Sequence, residues 1–357
     1  MKKKYQHIEI LRFFSALMVV ITHYIHFFNP FNKLSSLKIY KSFLEFDSSI
    51  LPFYDLIEKV YRFGYVGVYF FWLISGFVLA HTYLNKERCQ ISFKKFFVNR
   101  FARLYPLHFL TLLLVFVLQF FLRIETNSHQ IIGNEIYNGE NNLESFLSHL
   151  FFISGWIKES KFSYNFPIWS VSIEIVIYFL FFLSIQYLVK LRLLLSSIIF
   201  IIFLLLEKNN INLFFISCGR YFFSGVFLFF LCNNIKNINY ILFIALLLFI
   251  SNFIGNFKYN IFFSSLILLA YYLDHNTTYR FKNFYSKLGN LTYGSYLLHI
   301  PLSLLIILFF SKFKLHENIF MTEYFFISYL FIIFIISHFS FKFFEDPIRT
   351  YLKKLFK

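Results

Sequence analysis

The chain has 357 residues, of which 58% are hydrophobic and 24% aromatic, and its formal net charge is +16. Soluble proteins carry about 25% charged residues, whereas this chain has 15%, so the composition excludes a set of soluble domains and excludes intrinsic disorder as well. The basic residues lie between long apolar runs, which favours membrane topology over nucleic-acid binding as the reason for the positive charge.

Ten apolar segments approach the length of about 20 residues that a helix needs to cross the hydrocarbon core. They are 8–28, 64–84, 104–122, 168–189, 193–206, 212–232, 238–254, 259–273, 289–311 and 323–341. The sequence therefore predicts an all-α integral membrane protein with about ten transmembrane helices. The fifth and eighth segments are the shortest, and the apolar stretch 147–156 is interpreted as interfacial or re-entrant because it is too short to span.

The distribution of charge predicts the orientation. Ten spans place both termini on one side, and if that side is the cytoplasm, its segments hold 20 Lys/Arg and 4 Asp/Glu, against 12 of each in the outer loops. This is the asymmetry that the positive-inside rule requires. We predict cytoplasmic termini, long outer loops near 29–63 and 123–167, and a single transmembrane domain over 1–357 without a fused periplasmic domain.

The first span contains ionisable residues, which are costly in a membrane and mark functional sites. Arg12 and His23 lie eleven residues apart, which places them on one face of a helix roughly 16 Å apart. Glu9 precedes Arg12 by one turn and can pair with it. The plain alternative is that Arg12 reaches the headgroups and His23 bonds a carbonyl. We favour function for His23, because histidine suits proton transfer at neutral pH.

A basic segment precedes the third span. Arg100 and Arg103 are three residues apart, so a helix presents both guanidinium groups on one side, as phosphate or pyrophosphate binding requires. The alternative is ordinary positive-inside charge, which we prefer for the nearby lysines. Pro106 follows the pair and predicts the start of the third helix there.

Two later segments combine polar groups with membrane depth. In the first, Trp169 suits an outer interface, whereas Glu174 lies deeper and shares a helical face with Ser170. In the second, Tyr296 and His299 lie one turn apart near mid-membrane, with a kink expected at Pro301. The alternative for His299 is a structural link between helices. Arg220, in the sixth span, is a weaker signal.

These residues in this order resemble acyltransferase family 3 of integral membrane proteins. The resemblance runs from Arg12 to Arg349 and rests on six blocks. The blocks are Arg12 with His23, 67–77 (GVYFFWLISGF), Arg100 and Arg103 with Tyr105 and Pro106, 169–174 (WSVSIE) with Tyr178, Tyr296 with His299, and Glu345 with Pro347. The sequence departs from the family at Tyr69, Ile175 and Phe223, where acids are common.

The resemblance implies an enzyme that moves an acyl group, usually acetyl, from cytoplasmic acyl-CoA to a hydroxyl of a cell-surface carbohydrate. It implies that His23 is catalytic and that Arg100 and Arg103 contact the coenzyme. We place Arg12 with them, and Glu174 as a group that orients an imidazole. The predicted substrate contacts are Trp169, Ser172, Tyr296 and His299.

The expected partners are acetyl-CoA as donor substrate, an O-antigen, capsule or exopolysaccharide acceptor, and the lipids of a bacterial cytoplasmic membrane. We expect no permanently bound cofactor, no nucleic acid and no metal, because the three cysteines lack metal-ligand spacing. His23 would act as a general base or a transient acyl acceptor. The competing hypothesis is a proton-coupled transporter or flippase for a sugar or lipid-linked glycan. A structural scaffold explains the buried polar groups poorly.

Overall fold

The computed structural model describes residues 5–28, 48–84, 91–128, 141–156, 163–209, 214–254, 258–276 and 282–356. In these ranges the regular structure is helical, which confirms the predicted class. The helices are α1 Gln6–Thr22, α2 Tyr54–Phe63, α3 Gly67–Tyr83, α4 Phe93–Ser128, α5 Leu143–Leu150, α6 Ile168–Lys208, α7 Phe214–Asn234, α8 Ile238–Ile254, α9 Tyr259–Asn276, α10 Lys282–Lys312, α11 Glu323–Ser340 and α12 Asp346–Leu355.

Seven helical stretches within the described ranges are long and apolar enough to cross a membrane. A helix satisfies its own backbone hydrogen bonds, which is why apolar segments without access to water adopt it. The seven are Gln6–Phe27, Tyr54–Tyr83, Phe93–Leu122, Ile168–Lys208, Phe214–Asn234, Phe284–Lys312 and Glu323–Leu355. The described residues of all ten predicted segments lie almost entirely in helices, but α8 and α9 are not among the seven, and the count of ten stays a prediction.

The helix α6 contains both the fourth and the fifth predicted segments. Its backbone breaks at Arg192, whose φ of 38° and ψ of −111° are not helical. A straight helix of 41 residues would measure about 60 Å, roughly twice the hydrocarbon thickness. The break therefore divides α6 into two segments, as the sequence predicted.

The prediction that the third helix starts near Pro106 is wrong. The helix α4 begins at Phe93, and Pro106 lies inside it. Proline lacks one backbone donor, which a membrane helix tolerates when neighbouring groups satisfy the freed carbonyl. As a result Arg100 and Arg103 lie on the same continuous helix as the membrane segment. Pro301 likewise lies inside α10.

The chain forms two units, of which the first comprises Met1–Ser15, Val66–Phe96 and Ile173–Gly289. Here α3 and α7 pack with their backbones in contact, because a methyl group on Gly76 would overlap the carbonyl oxygen of Phe222 and one on Gly225 that of Leu73. Small residues commonly permit such approach between membrane helices. The same unit contains Asp274 of α9, whose Oδ1 accepts from the amides of Gln6 and His7 at the start of α1.

The second unit comprises Ala16–Tyr65, Phe97–Ser172 and Asn290–Lys357. Its core has two apolar clusters. One joins Tyr24 and its neighbours to Tyr61 and to Tyr329 of α11. The other joins α4 to Phe166 and to Ile300 of α10. The candidate site lies in this unit, next to Tyr24 in sequence and against Phe166.

Candidate functional site

Two predicted histidines meet in the second unit. The helix α1 ends at Thr22, and a 3-10 turn, His23–Phe27, follows. His23 Nδ1 lies 2.9 Å from His299 Nε2 of α10, and the two rings meet edge to edge, with centroids 5.1 Å apart and 15° between their planes. His299 is buried, whereas His23 is partly exposed. The structure therefore pairs an accessible imidazole with an enclosed one.

Aromatic rings enclose the histidine pair. Phe166 sets its ring at a steep angle to both His23 and His26, with centroid distances of 4.8 and 5.1 Å. His26 is fully buried, and its ring centroid lies 5.4 Å from that of His23. Such walls lower the local dielectric and strengthen polar interactions inside. Within the described ranges, no group of three or more His, Cys, Asp or Glu could hold a metal ion.

Our sequence reasoning missed His26 and Phe166. His26 follows His23 by three residues, a spacing that places both on one side of a helical turn. This spacing could have predicted that His26 lies in the same surroundings as His23. Phe166 is one of 58 phenylalanines, and no local pattern distinguishes it from the others.

Tyr296 and Ser170 lie together beside this site. Their hydroxyl oxygens are 2.8 Å apart, and both also lie within hydrogen-bond distance of the carbonyl of Pro167. Both side chains are buried. The triangle ties α10 to the start of α6, one turn from His299. Tyr296 therefore has structural bonds in addition to its predicted contact with substrate.

Ser172 and Trp169 occupy the same first turns of α6. The Ser172 hydroxyl donates to the carbonyl of Trp169 at 2.7 Å and accepts from the amide of Gly155 at 2.8 Å. The indole of Trp156 donates to the Ser172 carbonyl at 3.0 Å. Ser172 thus holds the end of the 147–156 stretch against α6, and its contact with substrate stays a prediction. Trp169 is partly exposed.

Arg12 and Glu174 belong to the first unit. Arg12 Nη1 donates to Glu9 Oε2 at 3.0 Å, which confirms the pair that their spacing predicted. The Glu9 carboxylate packs against Gly289 of α10, where a methyl group would overlap it. Glu174 is 9% exposed and lies within electrostatic range of the Cys218 thiol of α7. Its predicted role toward an imidazole stays a prediction.

Arg220, the weaker signal in the sixth span, pairs with an acid that sequence spacing did not indicate. It forms an ion pair with Glu207 at the end of α6, and Ser217 donates to the same carboxylate at 2.8 Å. The guanidinium carbon lies 4.5 Å from the ring centroid of Tyr221, which stacks on Tyr69. Glu207 therefore supplies the charge partner that the family commonly places nearer in sequence.

Four basic side chains lie within electrostatic range of one another in the second unit. Lys353 of α12 lies within electrostatic range of Arg349, Arg100 and Arg103. Glu345 lies within range of Arg103 and Arg349 and accepts from Ser340 at 3.0 Å. Arg349 also pairs with Asp346. Among the described residues, these interactions join four cations and two carboxylates, which leaves an excess of positive charge.

Arg349 and Lys353 were counted in the sequence only as positive-inside charge. They lie four residues apart and so share a face of the short helix α12. That spacing was a readable signal for a second basic face, but the sequence could not say that it meets Arg100 and Arg103. Lys86 and Arg88, two basic residues that precede α4 in the sequence, lie outside the described residues.

Comparison with known proteins places the chain in a family. A family model described as an acyltransferase domain matches residues 5–340, so the chain belongs to acyltransferase family 3, as its motifs predicted. A segment of 120 residues is 32% identical to a protein named Acyltransferase MdmB from Streptomyces mycarofaciens. That match covers 33% of this chain and 27% of the relative. No solved structure matches the chain.

Proposed function

We propose that the chain transfers an acyl group, foremost acetyl, from acetyl-CoA on the cytoplasmic side to a hydroxyl of an extracytoplasmic carbohydrate. Family membership supports acyl transfer in general. The observation that carries the specific proposal is the hydrogen bond of His23 to the enclosed His299. It leaves a partly exposed imidazole in an aromatic enclosure, which is a suitable setting for a general base.

In the proposed step His23 accepts the proton of the acceptor hydroxyl while the hydroxyl oxygen attacks the thioester carbonyl carbon. The bond from that carbon to sulfur then breaks, and the coenzyme A thiolate takes the proton from His23. The products are the O-acyl carbohydrate and free coenzyme A, with no external oxidant or reductant. General base catalysis of this kind contributes roughly 10²- to 10⁴-fold.

A two-step route uses the same residue. His23 would first attack the thioester itself, forming an acyl-imidazole and releasing coenzyme A, and the carbohydrate hydroxyl would then displace the imidazole. Incubating the protein with acetyl-CoA in the absence of acceptor separates the routes. A trapped acetyl group on the peptide that contains His23 would support the two-step route.

The basic cluster around Arg100 and Arg103 is proposed to bind the phosphates of the donor. Coenzyme A carries several phosphate charges, and paired guanidinium groups bind phosphate with charge-assisted hydrogen bonds. Arg349 and Lys353 lie in the same cluster and add to its charge. Arg12 is assigned to the donor as well, with Glu9 setting its orientation.

This assignment of donor and acceptor requires a defined topology. We propose ten spans in a bacterial cytoplasmic membrane, with both termini in the cytoplasm. The basic residues of 91–103 then face the compartment that holds coenzyme A. The acceptor would be an O-antigen, capsular or exocellular polysaccharide reached from the opposite side.

The test uses inside-out membrane vesicles that carry the full chain and are supplied with acetyl-CoA labelled in the acetyl group. We expect label in the carbohydrate fraction and its loss in His23→Ala, by roughly 10²-fold or more. His338→Ala is the matched control, because His338 is exposed near the end of α11, and it should keep full transfer. Wild-type vesicles that consume no acetyl-CoA would contradict the proposal and favour the transporter.

A further inference from the structure

The hydrogen bonds around His299 have a definite direction. His299 Nδ1 lies 3.1 Å from the carbonyl oxygen of Ser295, one turn earlier on α10. A carbonyl oxygen only accepts, so Nδ1 of His299 carries a proton and donates it. The opposite nitrogen of the same ring, Nε2, faces His23 Nδ1 at 2.9 Å.

Burial keeps the His299 imidazole neutral. His299 is 1% exposed, its ring neighbours are His23 and Tyr296, and an uncompensated charge in such a place is costly. A neutral imidazole has one N–H, so Nε2 of His299 is an acceptor. His23 must then donate from Nδ1, which leaves the lone pair of His23 on Nε2.

We propose that His299 is a positioning residue that holds His23 in the tautomer whose Nε2 is the base. The inference rests on the proposed function, in which His23 Nε2 takes the proton of the acceptor hydroxyl. The chain of bonds runs from the Ser295 carbonyl through His299 to His23. The arrangement resembles that of a catalytic triad. There a buried group accepts a hydrogen bond from Nδ1–H of the catalytic imidazole and so fixes its tautomer.

Two further contacts hold the His23–His299 pair in place. The hydroxyl of Tyr329 on α11 donates to the His299 carbonyl at 3.1 Å. The ring of Phe166 meets His23 edge-on, so the His23 ring has restricted freedom to rotate away from its partner. The nearly coplanar arrangement, with 15° between the ring planes, therefore has support from three elements of the second unit.

His299 also acts on the protonated form of His23. When His23 takes up a proton on Nε2, its Nδ1–H still donates to His299 Nε2. The acceptor lone pair of His299 thus stabilises the imidazolium that forms in the transition state. His299 exchanges no proton with substrate, and the balance of the transfer step is unchanged.

The test compares two substitutions at the same position in the full-length protein. In His299→Gln the amide oxygen can accept from His23 Nδ1 at about the place of the former Nε2, whereas in His299→Leu the acceptor is lost. We expect His299→Gln to retain kcat within roughly 10-fold and His299→Leu to lose roughly 10²- to 10⁴-fold. The KM for acetyl-CoA should stay unchanged in both.

A second readout reports the tautomer without any turnover. Histidine labelled with ¹⁵N in both ring positions gives different shifts for a protonated and an unprotonated nitrogen, and the His23 signals are those that vanish in His23→Ala. Wild type and His299→Gln should show a protonated Nδ1 and an unprotonated Nε2. In His299→Leu the signals should shift toward the mixture of tautomers of free imidazole.

The outcomes separate this inference from the proposed function. A His23 ring protonated on Nε2 in wild type would overturn the inference even if acetyl transfer occurs. Equal kcat in His299→Leu and wild type would also overturn it. If wild type shows no acetyl transfer, the proposed function fails, while the ¹⁵N signals still decide which nitrogen of His23 carries the proton. A fall in both substitutions with a raised KM would indicate a structural role only.

Discussion

His23 and His299 are 276 positions apart in the chain, yet their ring nitrogens lie at hydrogen-bond distance. Each histidine could be identified as a candidate from the sequence, because an ionisable group in an apolar segment is costly and marks a functional site. Their pairing could not be predicted, since the spacing of residues along one helix does not indicate which residues of another helix they contact. The same limit applies to His26, whose neighbour Phe166 comes from another part of the chain.

Asp274 is a second residue whose role follows from contacts. Its Oδ1 accepts from the amides of Gln6 and His7, at 3.0 and 3.1 Å, and lies 2.9 Å from His7 Nδ1. The first amides of a helix have no partner within the helix, and an acidic oxygen satisfies them and favours the positive end of the helix dipole. Asp274 is thus a cap on α1 supplied by α9.

We expect Asp274→Ala to destabilise the protein by about 1–3 kcal/mol, because it removes the acceptor of two helix amides. The unfolding midpoint in detergent, followed by intrinsic fluorescence on heating, should fall by roughly 2–6 °C. Asp274→Asn is the matched variant, since its amide oxygen still accepts from the backbone, and it should lose less. Equal midpoints for Asp274→Ala and wild type would rule out the capping role.

At the scale of elements, α12 has a role that its sequence alone did not indicate. It is a ten-residue helix with Arg349 and Lys353 on one face, and Lys353 lies within electrostatic range of Arg100 and Arg103 of α4. A π-helical turn, Phe341–Glu345, joins it to α11. Such turns often occur at functional sites, and this one brings Glu345 next to Arg103.

We expect Lys353→Gln to raise the KM for acetyl-CoA roughly 3- to 30-fold, because it removes one cation from the proposed site of the donor phosphates. The value of kcat should change little, since the proposed site contacts parts of the donor that do not react. Lys354→Gln, an exposed neighbour on the same helix, is the matched control and should leave KM unchanged. An effect of equal size in both variants would indicate general surface charge and no defined site.

The helix α4 begins earlier than its sequence suggested. Proline after a basic pair predicted a helix start, whereas the helix begins at Phe93 and continues through Pro106. Local propensity is a weak guide inside a membrane, where water does not compete for the backbone. The continuous helix links the basic pair at one end to the apolar segment that follows.

At the scale of the whole molecule, we interpret the net charge of +16 as a signal of the proposed membrane topology. The break in α6 at Arg192 supports that interpretation, because it divides a helix too long for one span and lies beside Lys190. A basic turn of this kind belongs on the cytoplasmic side under the positive-inside rule.

Single cysteines test the topology directly. In a background with Cys89, Cys218 and Cys232 replaced by serine, we expect Lys314→Cys to react with an impermeant maleimide on intact spheroplasts. Arg192→Cys and Lys354→Cys should react only after permeabilisation, because the proposed topology places them in the cytoplasm. The reverse pattern of labelling would contradict cytoplasmic termini. The cysteine-free background is the control for reaction at other groups.

By itself the sequence determined the helical membrane class, the family and most of the ionisable residues of interest. These follow from segment length, apolar content and short motifs, which act through local chemistry and the cost of placing charge in hydrocarbon. Only the tertiary structure decided that His299 is the partner of His23, that α12 completes the basic cluster, and that Glu207 pairs with Arg220. Such pairings depend on how helices pack side by side, and helical periodicity describes each helix alone.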